Sequence, residues 1–211
     1  MGKSSLSYGV FMARCDEDIV VLDTRADLYS CLPEAAGSIT LSQTIIEASD
    51  DIVDQLRAAG FCDPGDPPAA RAIPPLPGRA LDHDRVVPTA LDRFAVIHAI
   101  TAAWRTGPGR KPLAQLLEQD CHHRTDAVDL TRAARVTAAF VQLLPWDPAQ
   151  AACLYRAWLL RRALQTRGLD AVWVFGVRTW PFAAHCWLQI EDRVLDDDPD
   201  RVAQYTPIMA V

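Results

Sequence analysis

A proline-rich segment limits how this chain can fold. Residues 63–78 read Asp-Pro-Gly-Asp-Pro-Pro-Ala-Ala-Arg-Ala-Ile-Pro-Pro-Leu-Pro-Gly, with six prolines and two glycines in sixteen residues. Proline lacks a backbone N–H and clashes with a preceding helical turn, so this segment cannot form a helix or a central strand. We predict an extended connector over residues 63–84, between an N-terminal module (1–62) and a larger C-terminal domain (85–211).

The N-terminal module shows a strand pattern followed by a helix pattern. Three β-rich runs are predicted as strands, over residues 6–13, 18–22 and 28–32. The turn-forming residues 14–17 between the first two runs indicate a hairpin. Helical apolar spacing follows over residues 36–48 and 50–59, and Gly60 is expected to end the second helix. Small strands plus helices predict a winged-helix-like module.

Charge is unevenly distributed along the chain. Residues 1–65 carry 4 Lys or Arg and 11 Asp or Glu, a net charge of −7, whereas residues 66–211 carry a net charge of +1. Neutralisation of phosphates dominates nucleic-acid affinity, so this acidic module is a poor candidate for binding DNA or RNA. We predict instead that an edge of its sheet accepts a peptide as an added strand.

Composition argues against several other classes. Half of the residues are hydrophobic, which is enough for a packed core. No apolar run approaches the length of roughly 18 residues that a membrane-spanning helix needs. The first residues lack a secretory signal pattern, so a cytoplasmic location is expected. The six cysteines show no CxxC spacing and are expected as free thiols. Cys121-His-His123 has no second ligand pair, so neither a metal nor another cofactor is expected.

The C-terminal domain is predicted to pack helices on a small antiparallel sheet, which makes the chain an α+β protein. Apolar spacing predicts helices over residues 84–106, 111–121, 126–144 and 148–168. Asp126 is the expected cap of the third helix. The apolar run 171–177 predicts a strand buried on both faces, and strands bearing His185 and Asp197 follow. A cysteine-bearing helix before such strands is the element order of papain-like and transglutaminase-like folds.

Cys153 lies on a helix with one continuous apolar stripe. The stripe consists of Cys153, Ala157, Leu160 and Leu164. It should pack on the sheet and aim the thiol at it, and the arginines off the stripe are expected in solvent: Arg161, Arg162 and Arg167. The motif 147–150 resembles a helix start, which would leave Cys153 in the second turn. A start near Ala151 would let the helix dipole lower the thiol pKa, and we favour an irregular start just before Cys153.

His185 lies on a strand with two different faces. One face is apolar and consists of Ala184, Cys186, Leu188 and Ile190. The other carries His185, Trp187 and Gln189, which is typical of a strand that lines a cleft. A nucleophilic thiol needs a base and a group that orients that base, so we predict Cys153 as nucleophile, His185 as base and an aspartate as the orienting carboxylate.

The turn after this strand decides which aspartate faces His185. A two-residue loop at 191–192 would put Asp196 and Asp198 on the face of the histidine. A three-residue loop, residues 190–192, would set Asp197 directly opposite His185 and requires a left-handed residue at its last position. We predict Asp197 for this role, and Asp196 and Asp198 as solvated charges.

Several motifs together resemble the lasso-peptide leader peptidases, which are transglutaminase-like cysteine proteases also called B proteins. The resemblance covers about residues 85–207 and rests on Cys153, Pro181-Phe-x-Ala-His185-x-Trp187, Asp197-x-Pro199 and Tyr205-Thr-Pro207. The N-terminal module resembles the PqqD-like recognition element that binds leader peptides. Three positions depart from the family's usual small, acidic and glycine residues: Cys186, Gln189 and Asp192.

The resemblance implies a cysteine endopeptidase. Its substrate would be a ribosomally synthesised lasso-peptide precursor, from which it removes the leader, and its partner would be a cyclase resembling asparagine synthetase. The family's roles fall on Cys153 as nucleophile, His185 as base and later acid, and Asp197 as orienting carboxylate. Two alternatives stay open: a transglutaminase-like acyl transferase that uses the same acyl-enzyme, and a non-catalytic leader-binding chaperone.

Overall fold

The computed structural model describes residues 2–42, 44–63, 72–118, 128–146 and 153–211. In its N-terminal part the strands are β1 (Gly2–Leu6), β2 (Val10–Cys15), β3 (Asp18–Asp23), β4 (Leu28–Leu32), β5 (Thr40–Ser42), β6 (Ile45–Ala48) and β7 (Cys62–Asp63), and the helix is α1 (Asp50–Ala58). These strands form two antiparallel sheets, of order β2-β3-β4 and β5-β6-β1-β7. The predicted strands over residues 18–22 and 28–32 and the helix over 50–59 are confirmed.

The predicted helix over residues 36–48 is wrong. This stretch forms a short 3-10 helix, Ala35–Gly37, followed by β5 and β6. β6 pairs with both β5 and β1, and its Ile46 is fully buried. β-branched isoleucines favour a strand wherever a neighbouring strand offers hydrogen bonds, and β1 supplies that partner.

The first predicted strand also has different bounds. Residues 6–13 contain the turn between β1 and β2, where Gly9 adopts a φ of +78° that favours glycine. Gly60, with a φ of +76°, follows the end of α1 as predicted. Within residues 2–63, the described part contains seven strands and one α-helix, and the predicted winged-helix-like arrangement is not confirmed.

The C-terminal helices pack against one another and on a sheet. They are α2 (Ala90–Thr106), α3 (Leu113–Glu118), α4 (Leu130–Leu143), α5 (Cys153–Thr166) and α6 (Pro199–Val202), with a 3-10 turn at Leu144–Trp146. α2 begins later than predicted because Thr89 caps it: the Thr89 hydroxyl accepts from the Asp92 N–H, and the Asp92 carboxylate accepts from the Thr89 N–H. α4 is capped by Asp129, and the predicted cap Asp126 lies outside the described residues.

Asp92 joins three helices through a buried carboxylate. Its side chain is fully buried and accepts hydrogen bonds from the Thr89 hydroxyl at 2.6 Å and from Arg167 Nε at 3.0 Å. Arg135 Nε on α4 lies 3.6 Å away. Burial alone would raise the pKa of Asp92, but the hydrogen bonds from Thr89 and Arg167 lower it, so the carboxylate stays charged inside the helix cluster.

The prediction that Arg161, Arg162 and Arg167 face solvent is wrong for two of them. Arg167 pairs with Asp92, and the Arg161 side chain is 3% exposed with its Nε 3.4 Å from Asp170 Oδ1. The guanidinium of Arg162 lies over the Trp158 ring. Helical spacing alone does not reveal these partners, because Asp92 and Asp170 lie outside α5.

A five-stranded sheet carries the C-terminal core. Its strands are β8 (Arg79–Ala80), β9 (Val172–Arg178), β10 (Ala183–Ile190), β11 (Arg193–Leu195) and β12 (Thr206–Ala210), in the order β12-β9-β10-β11-β8. The predicted antiparallel arrangement is confirmed for β9 to β12, whereas β8 pairs parallel with β11. One face of the sheet packs on the helices, and the other packs around Trp187, Val202 and Tyr205.

The two parts of the chain share one hydrophobic core. Ala13, Cys15, Val20 and Leu22 from β2 and β3 belong to the same buried cluster as the α2, α4 and α5 side chains. β2 also packs beside β12. The described end of the connector is held to the sheet, because Gln189 Nε2 donates to Pro75 O at 2.8 Å. None of the helices in the described ranges has the length and apolarity to cross a membrane.

Candidate active site

Cys153 is the first described residue of α5, the helix that packs on β10. The predicted stripe is confirmed: Ala157, Leu160 and Leu164 are buried, and Cys153 is half-buried at the same helix face. The stripe therefore holds the thiol against the sheet. Residues 147–152, which contain the predicted helix start, lie outside the described part of the chain.

His185 lies near the start of β10 and contacts both of the other candidate catalytic residues. Its Nε2 lies 2.6 Å from Asp197 Oδ2, and its side chain also hydrogen-bonds the Cys153 side chain. With Nε2 facing the carboxylate, Nδ1 is the ring nitrogen left for the thiol. The structure thus brings Cys153, His185 and Asp197 into one connected group.

Aromatic rings hold the imidazole in place. The His185 ring stacks 6.2 Å from the Trp187 ring and lies 5.2 Å from the Tyr205 ring, measured between centroids. Across the sheet, His185 pairs with Gly176 of β9. A Cβ at position 176 would lie 2.8 Å from a Trp187 ring carbon and 2.9 Å from the Tyr205 Cβ, so glycine leaves room for both rings.

Asp197 reaches His185 by a route that the strand register did not predict. Leu188 pairs with Leu195 and Ile190 with Arg193, which is the register of the two-residue loop, so the three-residue loop is wrong. Glu191, and not Asp192, takes the positive φ in this turn. β11 then ends at Leu195, and a φ of +52° at Asp196 turns the chain so that Asp197 faces the histidine.

The two neighbouring aspartates have different roles from those predicted. Asp196 is not solvated: its side chain is 12% exposed and pairs with Arg156 Nη2 of α5. Burial raises the pKa of Asp196, and the Arg156 charge opposes this effect. Asp198 is exposed, as predicted, and accepts from the Asp200 N–H as the N-cap of α6. The Asp197 carboxylate accepts from the Asp198 N–H at 2.8 Å, which helps to orient it.

All three side chains carry a charge near neutral pH. The hydrogen bond from the Cys186 side chain, with a further one from His185, lowers the pKa of Cys153 to about 4 despite its burial. Burial opposes protonation of His185, but its hydrogen bonds with Asp197 and Cys153 raise its pKa to about 9. Cys153 is therefore a thiolate and His185 an imidazolium, the state in which a thiol is a strong nucleophile.

Cys186 is a site residue that sequence reasoning assigned only to the apolar face. Its side chain and its backbone both hydrogen-bond the Cys153 side chain. Burial raises the pKa of Cys186 well above its ordinary range, so it keeps its proton and acts as a donor to the thiolate. Its place on the apolar face of β10 was the available signal, because that face packs against the α5 side chains.

A cavity of about 340 Å³ opens at these groups. It is lined by Cys153, Arg156, Ala157, Leu160, His185, Cys186, Trp187, Leu188, Leu195, Asp196, Asp197 and Arg201. A larger cavity, of about 630 Å³, lies between β2 and β12. Among the described residues that line the larger cavity there is no cysteine or histidine, so the smaller cavity is the better candidate for the chemistry.

Two other predictions concern the surroundings of the site. Gln189 is 1% exposed, and its amide donates to Pro75 O and Glu191 O at 2.8 Å each. It therefore does not line a cleft as predicted. The residue that departs from the family pattern here binds the connector. Cys121-His-His123 lies outside the described residues, and the residues that are described contain no cluster of three metal-ligating side chains.

Comparison with known proteins places this geometry in a family context. A family model described as the transglutaminase-like superfamily matches residues 94–210. A stretch of 48 residues is 42% identical to the microcin J25-processing protein McjB of Escherichia coli, and it spans 23% of this chain and 23% of that protein. No solved structure matches.

Proposed function

Because this chain belongs to the transglutaminase-like superfamily, we propose that it is a cysteine endopeptidase that removes the leader from a ribosomally synthesised lasso-peptide precursor. The observation that carries the proposal is the hydrogen-bonded series from Cys153 to His185 to Asp197. Transglutaminase-like proteins and cysteine proteases both form acyl-enzymes with such groups. The partial similarity to a microcin J25-processing protein supports a peptide substrate of this class.

The first half of the proposed reaction forms a thioester. The Cys153 thiolate attacks the carbonyl carbon at the junction of leader and core, and a C–S bond forms. The His185 imidazolium gives its proton to the departing amine, the C–N bond breaks, and the core peptide leaves with a new amino terminus. Asp197 keeps the imidazole oriented and stabilises its positive charge.

The second half regenerates the enzyme. His185, now neutral, takes a proton from water, and the resulting hydroxide attacks the thioester carbon. The C–S bond breaks, the leader leaves as a carboxylic acid that loses its proton to solvent, and Cys153 returns as thiolate with His185 protonated. No cofactor is needed for either half, because the thiol, the imidazole and water supply all atoms that are exchanged.

We propose the N-terminal part as the site that binds the leader, in the manner of a PqqD-like recognition element. β4 is an edge of the β2-β3-β4 sheet and is only partly buried, whereas the opposite edge, β2, packs beside β12. An extended leader added to β4 would form main-chain hydrogen bonds with this free edge. Tyr29 of β4 packs against the core cluster that Cys153 also contacts, so a leader bound there would lead toward the thiol.

The remaining parts of the proposal are the partner and the location. A lasso cyclase resembling asparagine synthetase would take up the released core peptide, since the new amino terminus is the group that a ring-closing enzyme must acylate. A cytoplasmic site follows from the same proposal, because ribosomal precursors are made there.

The decisive experiment incubates the purified protein with its precursor and follows products by mass spectrometry. We expect a leader that ends in a free carboxylate and a core with a free amine. Cys153→Ala should abolish cleavage, and His185→Ala should reduce it by about 10²–10⁴-fold. Cys62→Ala, which removes a thiol on β7 that does not line the candidate cavity, is the matched control and should cleave normally. Equal cleavage by Cys153→Ala and wild type would refute the proposal.

Acyl transfer is the second candidate, and the superfamily match favours it. The same thioester can be attacked by an amine in place of water. Adding a small primary amine to the reaction separates the two: transfer leaves the leader with a new amide, whereas hydrolysis leaves the acid. A non-catalytic leader-binding chaperone is the third possibility, and it would be supported if iodoacetamide labelled Cys153 no faster than Cys31 at neutral pH.

A further inference from the structure

Two large aromatic side chains are exposed in the segment that leads into β10, the strand that carries His185. Trp180 is 79% exposed and Phe182 is 50% exposed, and both lie in the segment between β9 and β10 that leads to His185. Exposed aromatic side chains that are close together and held in place are typical of binding surfaces. We refer to Trp180, Phe182 and the neighbouring Tyr29 as the aromatic platform.

The platform is held by contacts between the two parts of the chain. Trp180 Nε1 donates to Asp18 Oδ2 at 2.8 Å, and Asp18 is itself buried and accepts from the Glu34 N–H. The Phe182 ring lies 5.8 Å from the Tyr29 ring of β4. The indole therefore has its polar atom satisfied and its apolar surface free, so little side-chain entropy is lost when a ligand covers it.

Phe182 of the platform lies three residues before His185, which is about 10 Å along an extended chain. Burial raises the pKa of Tyr29, and the nearby thiols of Cys186 and Cys153 contribute to this shift. Phe182 precedes β10, the strand that carries His185 close to its start. A peptide placed with its scissile carbonyl at Cys153 therefore has the platform within reach of the residues beside that bond.

The charge around the platform restricts its ligand. Residues 16–34 carry six Asp or Glu and one Arg. Asp18 touches Trp180, and Asp27 lies close enough to Tyr29 to contribute to its raised pKa. A segment that combines an apolar side chain with a neighbouring cation complements this surface, whereas an acidic segment is repelled.

We propose that the aromatic platform is a specificity subsite that binds a large apolar side chain of the precursor next to the scissile bond, with a basic residue beside it. This inference rests on the proposed function and adds a substrate preference to it. Trp180 and Phe182 form the contact surface, and Asp18 is a positioning residue that acts through Trp180.

The test uses the full chain and a library of short internally quenched peptides, each with one fixed position and mixtures elsewhere. Wild type should prefer a large apolar residue at one position beside the cleaved bond. Trp180→Ala and Phe182→Ala should each lower kcat/KM for the preferred peptides by about tenfold or more, through KM, while peptides with alanine at that position are cleaved as before. Trp180→Phe, which keeps a ring but loses the donor to Asp18, should be intermediate.

Trp104→Ala is the matched control, because Trp104 is 55% exposed on α2 and has no part in the site. Unchanged preference in both platform variants would overturn the inference and leave the peptidase proposal intact. If no library peptide is cleaved, the platform is tested by binding of the amidated peptide acetyl-Lys-Phe-Leu-Lys to the Cys153→Ala protein. Weaker binding after Trp180→Ala but not after Trp104→Ala supports the platform, and equal binding refutes it.

Discussion

At the scale of single residues, the site depends on how three side chains change one another's protonation. The pKa of Cys153 is about 4 and that of His185 about 9, so the ion pair of thiolate and imidazolium exists between these values. Asp197 stays charged because its hydrogen bond with His185 lowers its pKa against the effect of burial. Each group stabilises the charged form of its neighbour.

This coupling predicts a bell-shaped pH dependence. kcat/KM should fall as the pH drops through about 4, where the thiolate is protonated, and fall again above about 9, where the imidazolium loses its proton. Asp197→Asn removes the charge that raises the pKa of His185, so the alkaline limb should move to lower pH while the maximum rate drops by roughly tenfold or more. Asp198→Asn, at an exposed helix cap, should leave both limbs in place. The readout is kcat/KM across pH, and a fixed alkaline limb in Asp197→Asn would contradict the role of the carboxylate.

Cys186 should control the acid limb. Cys186→Ala removes a side-chain donor to the thiolate, so the pKa of Cys153 should rise. A donor to a charged group is worth about 1.5–3 kcal/mol, which corresponds to an upward shift of the alkylation midpoint by about one to two pH units. Cys186→Ser retains a donor and should restore the midpoint. The measurement is the rate of iodoacetamide labelling of Cys153 against pH, and an unshifted midpoint in Cys186→Ala would show that the donor is unimportant.

At the scale of elements, the antiparallel pairing of β9, β10 and β11 positions the imidazole. The pairing ends at Leu195, so the backbone at Asp196 and Asp197 is not held in the sheet. Helical and strand periodicity predicted α5, β9 and β10 well, because their apolar positions recur at regular spacing. The prediction for the turn between β10 and β11 was wrong. Glu191 takes the left-handed conformation, and the turn contains no glycine that would have indicated this position. The predicted aspartate still faces His185, through the irregular backbone at Asp196.

Gly176 offers a test of how β9 supports the site. Gly176→Ala would place a methyl group 2.8 Å from the Trp187 ring and 2.9 Å from the Tyr205 Cβ. Overpacking of this kind typically costs about 1–3 kcal/mol, and both displaced rings contact His185, so activity should fall as well. Gly37→Ala, where the added methyl would meet nothing within 4 Å, is the control. Urea denaturation measures the free energy of unfolding, and equal values for the two variants would refute this packing account.

At the scale of the whole molecule, the two parts of the chain are not packed independently. β2 and β3 contribute four buried side chains to the C-terminal core, and the hydrogen bond of Trp180 with Asp18 joins the parts beside the site. The connector is also attached, through β8 at the edge of the sheet and through Gln189. A proline-rich composition predicted an extended segment, but it did not reveal these attachments.

Separating the parts should therefore destabilise the catalytic region. A fragment of residues 72–211 would expose the core surface that β2 and β3 cover, so we expect a lower melting temperature than the full chain and binding of an apolar dye. Addition of a fragment of residues 1–63 should reverse both effects. Calorimetry and dye fluorescence provide the measurement, and a fragment that melts at the temperature of the full chain would mean that the shared core contributes little.

The sequence by itself determined the elements of the C-terminal half and the residue types available for thiol chemistry. Apolar spacing specified which side of α5 carries Cys153, and alternation specified which side of β10 carries His185, because both periodicities are local properties of the backbone. Tertiary structure alone decided that Cys186 donates to the thiolate, that Asp196 pairs with Arg156 and that residues 40–42 and 45–48 join a sheet. Those outcomes depend on partners far apart in sequence, whose contacts override local propensity.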